Sequence, residues 1–353
     1  MSRDLSLFGR RGRVCAPEPG EGTRGTPSLG EYCKAIRAGD RRAMARAITL
    51  IESSRPDQAE LGQAILEALV PETGKAIRVG ITGPPGVGKS TLIEALGLYL
   101  VSEGLSVAVL AVDPSSPVTG GSILGDKTRM ERLATSSEAF IRPSPSGGSL
   151  GGVAHRSREV MLLCEAAGYD VVLVETVGIG QSEVTVASMV DFFLVLLLPA
   201  GGDQLQGIKR GVMELADCLA INKADGELRA VAERTRADYE GALQLIRPTT
   251  TAWRPRALLV SALEEVGVAE IWAAIGEHRD ALMEAGQFEA RRREQNRDWM
   301  WNLVEQGLRG AMAEDPTVAG RVAACEEDVQ AQRRSPAAAA RELLAAFQGG
   351  KSS

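Results

Sequence analysis

Residues 83–91 read GPPGVGKST, and this run is built to hold phosphate. Gly83, Gly86 and Gly88, interleaved with Pro84, Pro85 and Val87, permit a tight loop whose backbone N–H groups turn inward around phosphate oxygens. Lys89 reaches toward the outer phosphates, Ser90 offers a hydroxyl to Mg²⁺, and Thr91 carries the chain into the next element. The spacing Gly83-x-x-x-x-Gly88-Lys89-Ser90 fits the P-loop pattern, and a helix N-terminus behind it would add positive potential. The plainer alternative, a glycine-rich turn, accounts less well for an apolar run on one flank and a helical run on the other.

A second chemical signal is Asn222-Lys223-Ala224-Asp225. Guanine presents N1–H and an exocyclic amine side by side, and an ionised Asp225, an acceptor only, can take both. Sites built on such hydrogen bonds reject analogues by about 10⁴ to 10⁵. Asn222 and Lys223 would brace the loops and cover the base. The tetrapeptide alone is common; its place after a strand, followed later by Ser261 and Ala262 at another strand end, gives it weight. Ser261-Ala262 reads either as an ordinary turn or as a base-contacting loop.

Glu175 and Gly178 stand where phosphate-sensing proteins place an acidic group and a glycine near the γ-phosphate. The carboxylate would act on Mg²⁺ directly or through water, and the Gly178 N–H would meet the γ-phosphate. Asp113 and Asp126 are further candidates for the metal shell, since Mg²⁺ favours one or two carboxylates and several waters. The plainer alternative for each, an aspartate that ends a strand and caps the next turn, carries less weight. Lys127, Arg129, Lys209 and Arg210 lie near these loops, and one of them could neutralise transition-state charge.

These residues need a scaffold, and the hydrophobic pattern supplies one. Strands are expected at Ile77–Ile81, Leu105–Val112, Tyr169–Val174, Asp191–Leu198, Cys218–Ile221 and Ala257–Val260, near-continuous apolar runs of the kind buried on both faces of a parallel sheet. Helical stretches separate them: Leu92, Ala95, Leu96, Tyr99 and Leu100 share one face after the P-loop, and a glycine-rich segment at 146–152 precedes a helix expected at Ala154–Ala167. Every chemically suggestive loop follows a strand's carboxyl end. That is the pattern of an α/β fold with a doubly wound, mostly parallel sheet and its ligand on that edge.

Before the P-loop, Ser28 opens a helical pattern, Gly39-Asp40 reads as a stop followed by an N-cap, and Pro56-Asp57 repeats the device. Beyond Gly267 the chain is expected to be helical to its end, with Met300, Leu303, Val304, Gly307 and Leu308 in one stripe beside Trp299 and Trp301. Those tryptophans suit a dimer seam or a contact with the body. Residues 1–27, rich in glycine and proline without periodicity, read as a disordered tail. The expected division is therefore 1–27 tail, 28–74 N-terminal helical extension, 75–280 nucleotide-binding domain and 281–353 C-terminal helical arm.

Composition narrows the classes. The 353 residues carry a formal net charge of −6, which argues against a nucleic-acid backbone as the main partner. No apolar run approaches the length of a membrane helix, and the N-terminus lacks the core of a signal peptide, so a cytoplasmic protein is expected. Cys15, Cys33, Cys164, Cys218 and Cys325 form no CxxC pair, which opposes disulfides and a zinc site. His155 and His278 read as surface or loop residues.

The segments GPPGVGKST, VDPSSP, GGSILGDKTRM, ETVGIGQSE, GGDQLQGIKRG and NKAD together resemble the MeaB/ArgK type of P-loop GTPase, the methylmalonyl-CoA mutase-associated chaperones. The likeness spans about residues 28–347 and departs in two places: Pro84-Pro85 replaces a more usual apolar-proline pair, and the tail before Ser28 is long. It implies a GTPase, slow alone and stimulated by its partner, that gates cofactor loading and protects or reactivates an adenosylcobalamin-dependent acyl-CoA mutase. It implies GTP, GDP and Mg²⁺ as ligands and a homodimer joined through C-terminal helices. By the same resemblance Lys89 and Ser90 are phosphate and Mg²⁺ ligands, and Asp113, Asp126 and Glu175 form the acidic metal and water shell. GGSILGDKTRM and ETVGIGQSE become switches, and GGDQLQGIKRG a third that faces the mutase, with Lys209 a candidate for stimulated hydrolysis. Three rivals are weaker: a nickel-enzyme metallochaperone lacks its metal-binding motif here, a protein or amino-acid kinase lacks an acceptor domain, and a dead scaffold is opposed by the complete ligand set.

Overall fold

Start signals written in the sequence set the three helices that open the fold. In α1 (Leu29–Arg37) Ser28 and Glu31 form a reciprocal capping box. Asp40 caps α2 (Arg41–Ile51) by accepting from the N–H groups of Arg42 and Ala43, after Gly39 has turned the chain at φ +76°. The start of α3 (Pro56–Leu69) differs from the expected repeat of that device. Arg55 holds the cap position with no side-chain bond, and Pro56 in the first turn has no N–H to satisfy. Gly62 lets α3 cross α2 at backbone contact, since a Cβ there would lie 2.7 Å from the Ile51 nitrogen.

A computed structural model of the chain describes residues 27–112, 130–142, 150–176, 182–199, 210–246 and 250–349. Its centre is a seven-stranded sheet of β1 (Ile77–Thr82), β2 (Val107–Val112), β3 (Ala139–Arg142), β4 (Val171–Thr176), β5 (Phe192–Leu197), β6 (Cys218–Ile221) and β7 (Arg256–Leu259). The spatial order is β3-β2-β4-β1-β5-β6-β7, and every neighbouring pair is parallel. The winding runs outward in both directions from β1 and β4, which makes the carboxyl end of β1 the switch point where such sheets bind ligands.

Alternate side chains enter two cores. Val79, Ile81, Val171 and Leu173 pack with Leu92, Leu96 and Leu100 of α4 (Lys89–Ser102) and Ile271 and Ile275 of α10 (Val268–Glu284). Val172, Val174 and Phe193 pack on the other face with Met161 and Cys164 of α6 (Leu150–Ala166) and with Ile48 and Ile65 of α2 and α3. The remaining helices of this body are α5 (Glu131–Ala134), α7 (Ser182–Ala187), α8 (Arg210–Leu215) and α9 (Arg229–Leu245).

Buried polar groups close the sheet's amino edge. Asp191 accepts from the Arg78 N–H at 2.9 Å, and Asp217 accepts from the Phe193 N–H at 2.9 Å. The Arg78 guanidinium makes a two-pronged pair with Glu165, at 2.7 and 2.9 Å, and Glu165 also accepts from the Gly74 N–H.

Three expectations need correction. Strand β3 has no counterpart among the six expected strands: its four residues sit at the sheet edge, and only Ala139 is fully buried, so no apolar run announces it. Helix α6 begins at Leu150, inside the glycine-rich segment rather than after it, because the buried contacts of Val160, Met161, Leu163 and Cys164 outweigh the poor helix propensity of two glycines. His278 is buried at 1% exposure, edge-on to Phe192 and Trp253 and 3.5 Å from Asp217.

The described residues as far as Ala290 form one compact unit and those from Arg291 on a second. Helix α11 (Phe288–Glu314) runs from one into the other, and within the second unit α12 (Pro316–Gln330), capped by Asp315, packs against α13 (Pro336–Gly349). Met300, Trp301, Val304 and Leu308 on α11 are exposed on the single chain. Among the described residues no helix is long and apolar enough to cross a membrane.

Candidate functional site

At the carboxyl end of β1 the chain leaves Thr82 and turns at Gly83, Gly86 and Gly88, with φ of +153°, +76° and +95°. Gly83 passes so close to β5 that a Cβ would lie 2.7 Å from the Leu196 carbonyl oxygen. Val87 is buried and pins the loop, Pro84 and Gly88 are half-buried, and Pro85, Gly86 and Thr91 are exposed. Lys89 folds back over the loop and donates to the carbonyls of Gly83 at 2.8 Å and Pro84 at 3.3 Å. The ammonium therefore sits over the concavity that phosphate oxygens would fill.

Ser90, in the first turn of α4, donates to the Glu175 carboxylate at 3.2 Å. Glu175 is buried at 5% exposure on β4, next to β1. A hydroxyl and a carboxylate oxygen side by side, behind a phosphate loop, form a hard-oxygen donor set of the kind Mg²⁺ takes. The residues present fit that ion, with Ser90 and Glu175 as its protein oxygens. Bound there, Mg²⁺ would neutralise phosphate charge.

Residues 222–225 and 261–262 meet at the same edge. Asn222, buried after β6, donates to the Val87 carbonyl at 2.7 Å and accepts from the Ala262 N–H at 3.0 Å. One amide thus ties the phosphate loop to the 261–262 turn. Lys223 is exposed at φ +61°, a left-handed conformation costly for a lysine and held because Ala224 donates to the Val260 carbonyl. The Ser261 hydroxyl donates to the Asp225 carboxylate and accepts from the Glu264 N–H, which orients the carboxylate at the site's rim. Ser261 and Ala262 are themselves buried.

Asp113, Asp126, Gly178 and Lys209 lie outside the described residues, as do Lys127 and Arg129. Two contacts beside the site carry no signal in the sequence. Glu94 on α4 accepts from the Arg132 and Leu133 N–H groups and so caps α5 from a neighbouring helix. Arg132 in turn pairs with Glu265, in the turn that follows Ala262.

A glycine-rich loop of the P-loop pattern is tied through Asn222 to the 261–262 turn, and the family model for methylmalonyl Co-A mutase-associated GTPase MeaB matches residues 44–317. The chain belongs to the MeaB family. It is 54% identical over 310 residues to the "Probable GTPase" of Mycobacterium tuberculosis, covering 88% of this chain and 92% of that one. It is 44% identical over 319 residues to the mitochondrial methylmalonic aciduria type A homolog of Mus musculus, covering 88% and 77%. The crystal structure of an LAO/AO transport system kinase superposes with a TM-score of 0.75 at 41% identity, over 91% of this chain and 97% of that one. Membership in the MeaB family makes this chain a GTPase, and the parallel sheet with helical extensions is the architecture shared with that solved relative.

Proposed function

We propose that this MeaB-family GTPase uses GTP binding and hydrolysis to gate cofactor loading into an adenosylcobalamin-dependent acyl-CoA mutase, and to protect or reactivate that enzyme. The observation that carries the reading is the Asn222 bridge from Val87 to Ala262, which makes phosphate loop and base loop one unit, in a family described as mutase-associated. Lys89 would hold the outer phosphates, and Ser90 and Glu175 the Mg²⁺, with Asp113 and Asp126 completing its acidic shell. Asp225 would read guanine. Gly178 would meet the γ-phosphate, and Lys209 would supply charge in the stimulated state.

Hydrolysis then needs little covalent chemistry from the protein. Oriented N–H groups and the Lys89 ammonium would stabilise charge on the transferred phosphoryl group, beside the Mg²⁺ that Ser90 and Glu175 would hold. Losing the γ-phosphate would release the glycine-rich segments 120–130 and 201–211, as in other nucleotide switches. A homodimer would cover Met300, Trp301, Val304 and Leu308, apolar side chains that stand exposed along α11 of a single chain.

Co-purification with methylmalonyl-, isobutyryl-, ethylmalonyl- and 2-hydroxyisobutyryl-CoA mutases tests the proposal. One mutase should bind, with an affinity that differs between GDP and a non-hydrolysable GTP analogue. Binding to none, or binding indifferent to the nucleotide, would overturn it.

A further inference from the structure

The parallel ladder between β1 and β4 stops one residue short of the phosphate loop. Its register runs from Ile77 opposite Val171 to Ile81 opposite Glu175. The next residues, Thr82 and Thr176, pair with Val195 and Val112 on their outer sides. Between them a side-chain bond continues where the backbone pairing ends: the Thr176 hydroxyl donates to the Thr82 hydroxyl oxygen at 2.7 Å. Both residues are buried, at 0% and 2% exposure.

Strand side chains alternate, so Glu175 and Thr176 point to opposite faces of the sheet. Glu175 faces α4 and meets Ser90. Thr82 and Thr176 lie on the other face with Gly80, where α7 packs so closely that a Cβ at position 80 would fall 2.9 Å from the Val186 side chain. The hydroxyl bond thus holds the last residue of β4 to β1 from the side opposite the carboxylate. It lies on the face away from the Ser90–Glu175 contact.

We propose that the buried Thr82–Thr176 hydroxyl pair is a positioning device that sets the Glu175 carboxylate against Ser90, and thereby the seat of the divalent cation. The inference rests on the reading of Ser90 and Glu175 as the Mg²⁺ oxygens. Neither threonine touches the nucleotide; each acts through the strand end it fixes.

Thr176→Val removes the hydroxyl at nearly constant volume, and Thr176→Ser keeps it. A non-hydrolysable GTP analogue is titrated against each protein at a series of Mg²⁺ concentrations, with GDP affinity in EDTA measured in parallel. The valine variant should need about tenfold more Mg²⁺ for half-maximal analogue binding, the size of one net hydrogen bond, while the serine variant stays within about twofold of wild type. GDP affinity in EDTA should be the same for all three. Wild-type Mg²⁺ dependence in the valine variant, an equal loss with and without Mg²⁺, or a serine variant that behaves like valine would each overturn the proposal. If the wild-type protein binds the analogue with no Mg²⁺ dependence, the cation seat itself is what fails. Should Thr176→Val not fold, Thr82→Val and Thr82→Ser are read in the same way.

Discussion

Asn222 Nδ2 lies 2.7 Å from the Val87 carbonyl oxygen, so the residue that opens the 222–225 loop also holds the middle of the glycine-rich loop after β1. The contact spans 135 positions of sequence and is buried. Gly88 makes it possible, because a Cβ there would lie 2.6 Å from the same Asn222 nitrogen. Replacing Asn222 by alanine leaves the Val87 carbonyl and the Ala262 N–H without this partner, at a cost of about 1–3 kcal/mol for each group left unsatisfied. Asn222→Ala should therefore weaken GDP and GTP together, by about tenfold or more. Calorimetric titration of both nucleotides checks this, and a loss confined to one of them would contradict the bridging role.

The Arg78–Glu165 pair predicts a stability effect far from the nucleotide. Both side chains are at or below 5% exposure, and each would be left as a buried uncompensated charge if the other were removed. Arg78→Met should destabilise the sheet unit by about 3–5 kcal/mol, whereas Arg78→Met combined with Glu165→Leu should recover a good part of that loss. Urea unfolding of the single and double variants is the check.

Alkaline pH should expose the buried thiols. Burial pushes Cys218 up from 9.0 to about 12, and Cys164, also buried and beside Glu165, is raised as well. The unfolded chain loses these protons near pH 9 while the folded chain keeps them, so this contribution to stability is complete below pH 9 and is lost as pH rises toward the folded values. Each pH unit above 9 should cost ~1.4 kcal/mol per thiol. Unfolding midpoints between pH 8 and 11 test the slope, and Cys218→Ala should reduce it.

How far the site was legible in the sequence depended on whether a feature was local. Gly83 to Thr91 declares itself because its strand, loop and helix are contiguous, and β2, β4, β5 and β6 show as apolar runs because they are buried on both faces, while β7, at a sheet edge with one buried residue, still carries Ala257, Leu258 and Leu259 in a row. The same reasoning passes over Ala139–Arg142, where edge position leaves only one buried side chain. It misplaces His278, whose burial comes from Phe192 and Trp253, neither of them a close neighbour in sequence. The Thr82–Thr176 bond, the cap that Glu94 lends to α5, and the aspartates that close the sheet's amino edge are likewise products of register between distant strands and helices. Asn222 is a middle case: its residue type and strand-end position mark it, but its carbonyl partner at Val87 appears only in three dimensions.

One hydrolysis assay bears most directly on the claim that Asp225 reads the base and that turnover answers to a mutase. Asp225→Asn gives the site an amide that can donate to the extra carbonyl of xanthine. The variant is assayed with GTP and with XTP, each with and without the acyl-CoA mutase that binds the protein. Slow hydrolysis alone is expected, with XTP preferred over GTP, and stimulation by the mutase of at least about tenfold with XTP, a modest demand beside the ~10³–10⁵ that a partner's arginine supplies in phosphoryl transfer. Retained preference for GTP, or a rate unmoved by the mutase, would contradict it.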